Sequence, residues 1–407
     1  MRLGRERRHL RAIRKLLLAT SLPLALLAAA CGGGGGTAPA GGGGSSAQGG
    51  IPAGDIKIGI QAPLTRDYAL EGQGFQKAIQ LLADQINAQG GIDGHKIQVV
   101  AQDDQGTAQQ AAVAAQKLVT EGVVAVVGGY NSTATEAAQP IYNQNKVIQI
   151  TPASTAVQLS QKGYKYFFRT ATLDSAQGKF AADLMVKTLG FQKIALLHDN
   201  STYALGLAQA TEQAVKADGG QVVFFDAIVP GSNDFGAVLT RLKAQAPQAV
   251  YFTGYFSDAG LLLKQSQAIG LKTQWIGGDA NNNPQLIQVA GPAAEGFLVT
   301  TPPQPQDLKT PEAEQFVQQY QQKYGEMPPS VWTISAADAF RVIVDAIQKT
   351  HSTDPDKLAA YLHQLKDFPG FTGPISFAAN GDREGTLHKA YIVKDGKFVL
   401  YDKQPNE

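Results

Sequence analysis

Between Asp55 and about residue 277, short apolar runs alternate with longer stretches whose apolar residues recur every three or four positions. That double rhythm constrains the fold more than any overall composition. Residues 56–61 read as a strand. Residues 72–88, with Phe75, Ile79, Leu82 and Ile86 on one stripe, read as a helix closed by Gly90-Gly91. Strands follow at 96–101, 123–127 and 147–151, with helices over 108–121 and 133–144. The rhythm breaks near Arg169–Asp174 and restarts with a helix over 175–189 and a strand at 193–198. Helices near 203–217, 234–245 and 258–269 then alternate with strands near 221–229, 248–254 and 273–277. Strands separated in this way imply parallel sheets covered on both faces, and there are too many for one sheet. Two α/β domains are therefore expected. The Pro-rich stretch 300–306 reads as a crossover, followed by helices over 311–324, 333–350 and 355–366 and a strand pair at 390–394 and 397–401.

A different kind of sequence lies ahead of this body. Residues 1–30 carry seven of the chain's 35 Lys and Arg (Arg2, Arg5, Arg7, Arg8, Arg11, Arg14, Lys15) and one of its 34 Asp and Glu, Glu6. The basic stretch runs into 15 apolar-rich residues, 16–30, which include Pro23. A membrane-spanning helix needs roughly 20 apolar residues, so 1–30 is expected to be a signal peptide. Cys31, the single cysteine of the 407-residue chain, follows directly, and a Gly/Ala/Ser tract extends to about Gly54. Such a tract loses too much backbone entropy on ordering to form a packed element, and reads as a tether. One cysteine makes neither an intramolecular disulfide nor a multi-cysteine zinc site. Beyond residue 30 there remain 28 basic and 33 acidic residues. The body is mildly acidic, which argues against a nucleic-acid binder built on a strongly basic domain.

The common catalytic signatures are missing from the sequence. There is no G-x-x-x-x-G-K-[ST] loop, no G-x-G-x-x-G after a strand and no G-x-S-x-G elbow. The six histidines (His9, His95, His198, His351, His363, His388) form no H-E-x-x-H motif or close ligand pair, and neither a metal nor a cofactor is expected. His198-Asp199 lies just past a strand but has no nucleophile pattern to serve. What recurs instead is polarity after strands, where open α/β sheets bind ligands. Gly128-Gly-Tyr-Asn-Ser-Thr133 opens a helix, and its free amides and hydroxyl suit an anion such as a carboxylate; the alternative is plain N-capping by Ser132 or Thr133. Thr151-Pro-Ala-Ser-Thr155 offers a second loop with hydroxyls. Tyr203, Tyr255 and Asp279 follow three strands of the other half in the same way.

A string of residues in order along the chain carries a family resemblance. Asn87-Ala-Gln-Gly-Gly-Ile92, Asp103-Asp104, Ile150-Thr-Pro-Ala-Ser-Thr-Ala156, Phe168-Arg-Thr170, Leu173-Asp-Ser175, Val223-Phe-Phe-Asp226, Asp234-Phe235, Gly270-Leu-Lys-Thr-Gln274, Ala294-Glu-Gly296 and Gly373-Pro374 resemble the leucine/isoleucine/valine-binding proteins of bacterial amino-acid ABC transporters. The resemblance implies an α/β, type I periplasmic-binding fold: two Rossmann-like lobes with parallel-type sheets, joined by a three-crossover hinge. It places lobe 1 at 55–173 plus 303–385 and lobe 2 at 174–302 plus 386–407. The small residues before Cys31 resemble the lipobox of bacterial lipoproteins, although Ala28 stands where that motif prefers Leu. Implied are cleavage before Cys31, lipidation of Cys31 and a tether over 31–54, anchoring an exported protein at the outer face of the cytoplasmic membrane.

By the same resemblance, Ser132 and the Thr155 backbone amide hold a ligand carboxylate. The Ala153 carbonyl, the Thr155 hydroxyl and Asp279 hold an ammonium, with Ser154 in the same loop. Asp279 stands where the leucine binders carry Glu. Tyr203 and Tyr255 cover the ligand. Glu71 aligns with an aromatic side-chain contact, and three readings stay open: Glu71 faces the ligand, Tyr68 swings in instead, or Glu71 pairs with Arg66. Gly106 and Asn131 stand where some relatives have paired cysteines. The function implied is that of a monomeric, non-enzymatic receptor delivering an amino acid, branched-chain or other neutral or polar, to ABC permease subunits. The alternatives are a ligand-sensing receptor subunit of the same fold and a binder of a small amide or urea-type solute.

Overall fold

The computed structural model describes residues 50–405; the expected signal peptide and Cys31 lie outside the described residues. Its first sheet is made by β1 (Ile56–Ala62), β2 (Ile97–Asp103), β3 (Ala125–Gly128), β4 (Ile148–Thr151) and β5 (Phe167–Arg169), with α1 (Ala69–Ala88), α2 (Ala108–Thr120) and α3 (Ser132–Gln144) between the first four. The strand order is β2-β1-β3-β4-β5, parallel throughout. β1 is buried at every position but Lys57, the near-continuous apolar run that a strand covered on both faces requires. Its Ile58 and Ile60 pack towards α1, through Phe75 and Ile79. On the other face, Val126 packs with Leu118 of α2 and Tyr142 of α3. Gly72 lets α1 start close against the preceding loop: a Cβ there would lie 2.1 Å from the Pro63 carbonyl oxygen.

The chain then crosses to a second sheet through α4 (Asp174–Ala182), β6 (Lys193–His198), α5 (Thr202–Ala217), β7 (Gln221–Ala227), α6 (Gly236–Ala244), β8 (Ala249–Phe252), α7 (Phe256–Ala268), β9 (Gln274–Gly277), α8 (Pro284–Ala290) and β10 (Leu298–Thr301). The single helix expected over 175–189 is α-helical only to Ala182. It continues as a π-helical segment, Asp183–Thr188, which buries the consecutive Leu184, Met185 and Val186. A second crossing returns the chain to α9 (Pro311–Tyr324), α10 (Val331–Thr350), α11 (Pro355–Leu362) and the hairpin β11 (Phe368–Gly370) and β12 (Gly373–Ile375). Of these, α9 and α10 pack on α1, and α10 and α11 on the first sheet. A third crossing brings β13 (Lys389–Lys394) and β14 (Lys397–Leu400) to the second sheet, ordered β14-β13-β10-β9-β8-β6-β7. Only β13 runs against the other strands, antiparallel to both β10 and β14.

The crossings are tied to one another. Arg169, at the end of β5, has no exposed surface. Its Nε lies 2.7 Å from Asp382, and Nη1 donates to the Ser154 and Ala156 carbonyls. Arg383 donates back to the Thr170 carbonyl at 3.0 Å. A buried ion pair fixes geometry more dependably than it adds stability, and here it locks the first crossing to the third.

Candidate ligand-binding site

The two sheets turn the carboxyl ends of their parallel strands towards each other, and the lobes are closed. Thr202, opening α5, donates its backbone N–H to Thr133 Oγ1 (3.2 Å) and its hydroxyl to Glu136 of α3 (2.9 Å). Between the lobes lies a tight cavity of about 10 Å³, lined by Tyr130, Asn131, Ser132, Ala153, Tyr203, Tyr255, Asp279, Ala280 and Trp332. Five of the predicted residues, Ser132, Ala153, Tyr203, Tyr255 and Asp279, thus meet at one place.

The lobe-1 wall is the start of α3. Asn131, and neither Ser132 nor Thr133, is the N-cap: its Oδ1 accepts from the Ala134 N–H at 2.8 Å. That leaves the Ser132 hydroxyl for the cavity, where it accepts from the Ala156 N–H at 3.2 Å and keeps its own proton to donate. The Ser132 and Thr133 amides make no hydrogen bond among the described residues. With the helix dipole behind them, they suit an anion. The lobe-2 wall carries the opposite sign. Asp279, 5% exposed, receives the Tyr203 hydroxyl on Oδ1 at 2.5 Å, and its Oδ2 has no partner among the described residues. Burial pushes its carboxyl up to about 7, against the Tyr203 bond and the Ala280 amide. A buried carboxylate oxygen left open is costly unless a cation completes it. No Lys or Arg lines the cavity.

A model of the family described as periplasmic binding protein matches residues 55–396, most of the chain. The chain belongs to the periplasmic binding protein family. It is 38% identical over 339 residues to a Leu/Ile/Val/Thr-binding protein of Salmonella typhimurium, covering 82% of this chain and 90% of that one. To the Leu/Ile/Val-binding protein of Escherichia coli K12 it is 37% identical, covering 82% and 89%. Among solved structures it is similar to a leucine binding protein from Thermotoga maritima, with a TM-score of 0.80, 31% identity and coverage of 85% and 97%. It is also similar to a branched-chain amino acid transporter substrate binding protein from Streptococcus pneumoniae, solved with isoleucine, with a TM-score of 0.76, 32% identity and coverage of 84% and 97%.

In this periplasmic binding protein the remaining predicted residues stand behind the cavity wall. The Ser154 side chain turns inward, its Oγ 2.7 Å from Thr135 Oγ1, and does not reach the cavity. Thr155 is buried beside Asp174, whose N–H donates to the Thr155 carbonyl at 3.0 Å. Burial pushes the Asp174 carboxyl up to about 8, with the Thr155 hydroxyl pulling it down. Glu71 is not on the wall either, and no Glu71–Arg66 pair exists among the described residues: Ser330 donates to Glu71 Oε2 at 2.5 Å, and Ser330 Oγ accepts from the Trp332 N–H at 3.2 Å. Glu71 therefore braces the turn that presents Trp332, and burial pushes its carboxyl up to about 7. Tyr68 packs behind the wall, its ring centroid 5.7 Å from Tyr130 and 4.8 Å from Tyr255, and does not line the cavity. Trp332, which sequence reasoning missed, comes from the return segment some 200 residues after Ser132. The available signal was a Ser-capped helix start, Ser330-Val-Trp332, since helix starts had marked the other half of the site.

Proposed function

We propose that this protein captures an α-amino acid between its closing lobes, outside the cytoplasm, and delivers it unchanged to an ABC importer. The observation that carries the reading is the pairing of opposite demands across one cavity: unpartnered amides at the start of α3 on one wall and the open Asp279 oxygen on the other. A zwitterion leaving water needs both charges met, and charge-assisted hydrogen bonds to fixed groups meet them. The names of the relatives, Leu/Ile/Val/Thr-binding and Leu/Ile/Val-binding, support an amino acid and favour the branched-chain class. Lobe 1 is taken as 55–173 plus 303–385 and lobe 2 as 174–302 plus 386–407, with ligand binding shifting the population from open to closed. Cys31 carries a lipid anchor, supported by the leader and the small residues before it.

Thermal unfolding of the mature protein against the twenty amino acids, urea and short amides tests the reading. A ligand at 100 times its Kd adds about 2.7 kcal/mol of stability. Stabilisation by an α-amino acid is expected, and a panel in which only urea or amides stabilise would favour the amide-binder alternative. For the anchor, detergent partitioning of the wild type and loss of it in Cys31→Ser are expected; equal partitioning of both would refute lipidation.

A further inference from the structure

Tyr203, whose hydroxyl Asp279 accepts, is preceded by a residue that the cavity does not use. Thr202 is the first residue of α5, and its N-cap is Ser201, whose Oγ accepts from the Ala204 N–H at 3.1 Å. That cap leaves the Thr202 N–H, one of the orphan donors of a helix start, to find a partner elsewhere. The other lobe supplies it. Thr133 Oγ1 accepts the Thr202 N–H at 3.2 Å, and Glu136 Oε2 accepts the Thr202 hydroxyl at 2.9 Å. Thr133 and Glu136, three residues apart on α3, share a face of that helix. Neither lines the cavity. Glu136 is aimed from within its own lobe: its Oε1 lies 2.7 Å from Lys162 Nζ, on the segment that follows the Thr151–Thr155 loop. With side chains 30% and 35% exposed, this ion pair adds little stability of its own, but it turns Oε2 towards α5. Against partial burial, which raises it, the bonds to Lys162 and Thr202 hold the Glu136 carboxyl below its ordinary range, so the group is charged. It also faces the positive end of the α5 dipole.

We propose that Glu136, oriented by Lys162 and receiving Thr202, is a positioning residue for closure: a latch outside the cavity that sets how long a bound ligand is held. The inference rests on the amino-acid reading of the cavity and adds to it what governs release. The latch touches no ligand atom, so its contribution is the same for every ligand. It exists only when α3 and α5 meet, so it slows opening and leaves the encounter with the open cleft unchanged. Apparent affinity scales with the population of the binding-competent form, which the latch raises. Seating Thr202 also fixes the first turn of α5, and with it the next residue, Tyr203, whose hydroxyl lies on Asp279.

The test is a double-mutant cycle in the mature protein: Glu136→Ala, Thr202→Val, both together, and Lys162→Ala alone and with Glu136→Ala. Each is titrated with alanine, valine, leucine and threonine by calorimetry and by stopped-flow. Hydrogen bonds to a charged group are strong enough that Glu136→Ala should weaken every amino acid the wild type binds by roughly tenfold. The loss should lie in the off-rate, with the on-rate and the order of ligands kept. Thr202→Val, which keeps the N–H bond to Thr133, should weaken them by a similar factor and add little once residue 136 is Ala. Lys162→Ala should act in the same direction by a smaller factor, and not at all without Glu136. A changed ligand order, or additive effects of Glu136→Ala and Thr202→Val on affinity, would overturn the proposal. If the wild type binds no amino acid, it is the reading of the cavity that fails. The latch is then decided without ligand, by small-angle X-ray scattering of Thr202→Lys, which sets a cation against Glu136, and of Thr202→Glu, which sets a like charge there. Thr202→Lys is expected to be the more compact, and equal radii of gyration would refute the latch.

Discussion

At the scale of the residue, the proposed chemistry rests on Asp279. Its carboxyl is pushed up to about 7 because it is buried with one oxygen unsatisfied, and an ammonium placed against that oxygen favours the ionised form. Below pH 7 a proton must leave before the cation binds. Affinity in the closed cleft should therefore fall as the pH drops from 8 towards 5, by up to about tenfold per pH unit below the midpoint. Calorimetry across that range checks the slope. Asp279→Asn should abolish it and weaken binding by about 2–5 kcal/mol, since it leaves a buried ammonium unpaired; a wild-type slope in the variant would assign the titration elsewhere. The same raised value has a consequence for folding. Relative to the unfolded chain, the ligand-free protein is favoured as the pH falls from about 7 towards the ordinary carboxylate range and loses that advantage as the pH rises through 7. Asp279 and Ser132 were legible because each follows a strand. Ser154 was legible as a loop hydroxyl, but not as one turned inward to Thr135, because a strand-end loop has two sides and its sequence does not say which faces the cleft.

At the scale of the element, the start of α3 is the working part. Asn131 does two jobs there: Oδ1 caps the helix and Nδ2 holds the Gly106 loop. Asn131→Ala should cost about 1 kcal/mol as a lost cap and should also weaken the ligand by loosening the amides that face it. Chemical denaturation and titration read the two effects separately, and a variant with lower stability but unchanged affinity would refute the second. The alternation of strands and helices was legible over most of the body because parallel strands buried on both faces leave continuous apolar runs. The exceptions have a common cause. β5 and the hairpin strands β11 and β12 have three residues each, too few for a period to show, and β10 overlaps the segment that reads as a Pro-rich crossover. Trp332 was hidden for another reason. Nothing local distinguishes a Trp that packs in a core from one that a remote return segment brings to a cleft.

At the scale of the whole molecule, function lies in what only the closed form assembles. The start of α3 and Ser132 belong to one lobe, Asp279, Tyr203 and Tyr255 to the other, and Thr202 bridges them through Thr133 and Glu136. In the proposed reading the start of α3 meets the carboxylate and Asp279 of the other lobe completes the ammonium, so a ligand that carries both charges stabilises closure most. The most direct measurement is a calorimetric titration of the mature protein with the amino acid that stabilises it best and with two of its halves, the amine lacking the carboxylate and the acid lacking the ammonium. Both halves are predicted to bind more weakly by about 2–5 kcal/mol, each leaving one wall of the cleft unpaired. A deaminated acid that binds as tightly as the parent amino acid would contradict the role of Asp279, and with it the claim that the lobes close on a zwitterion.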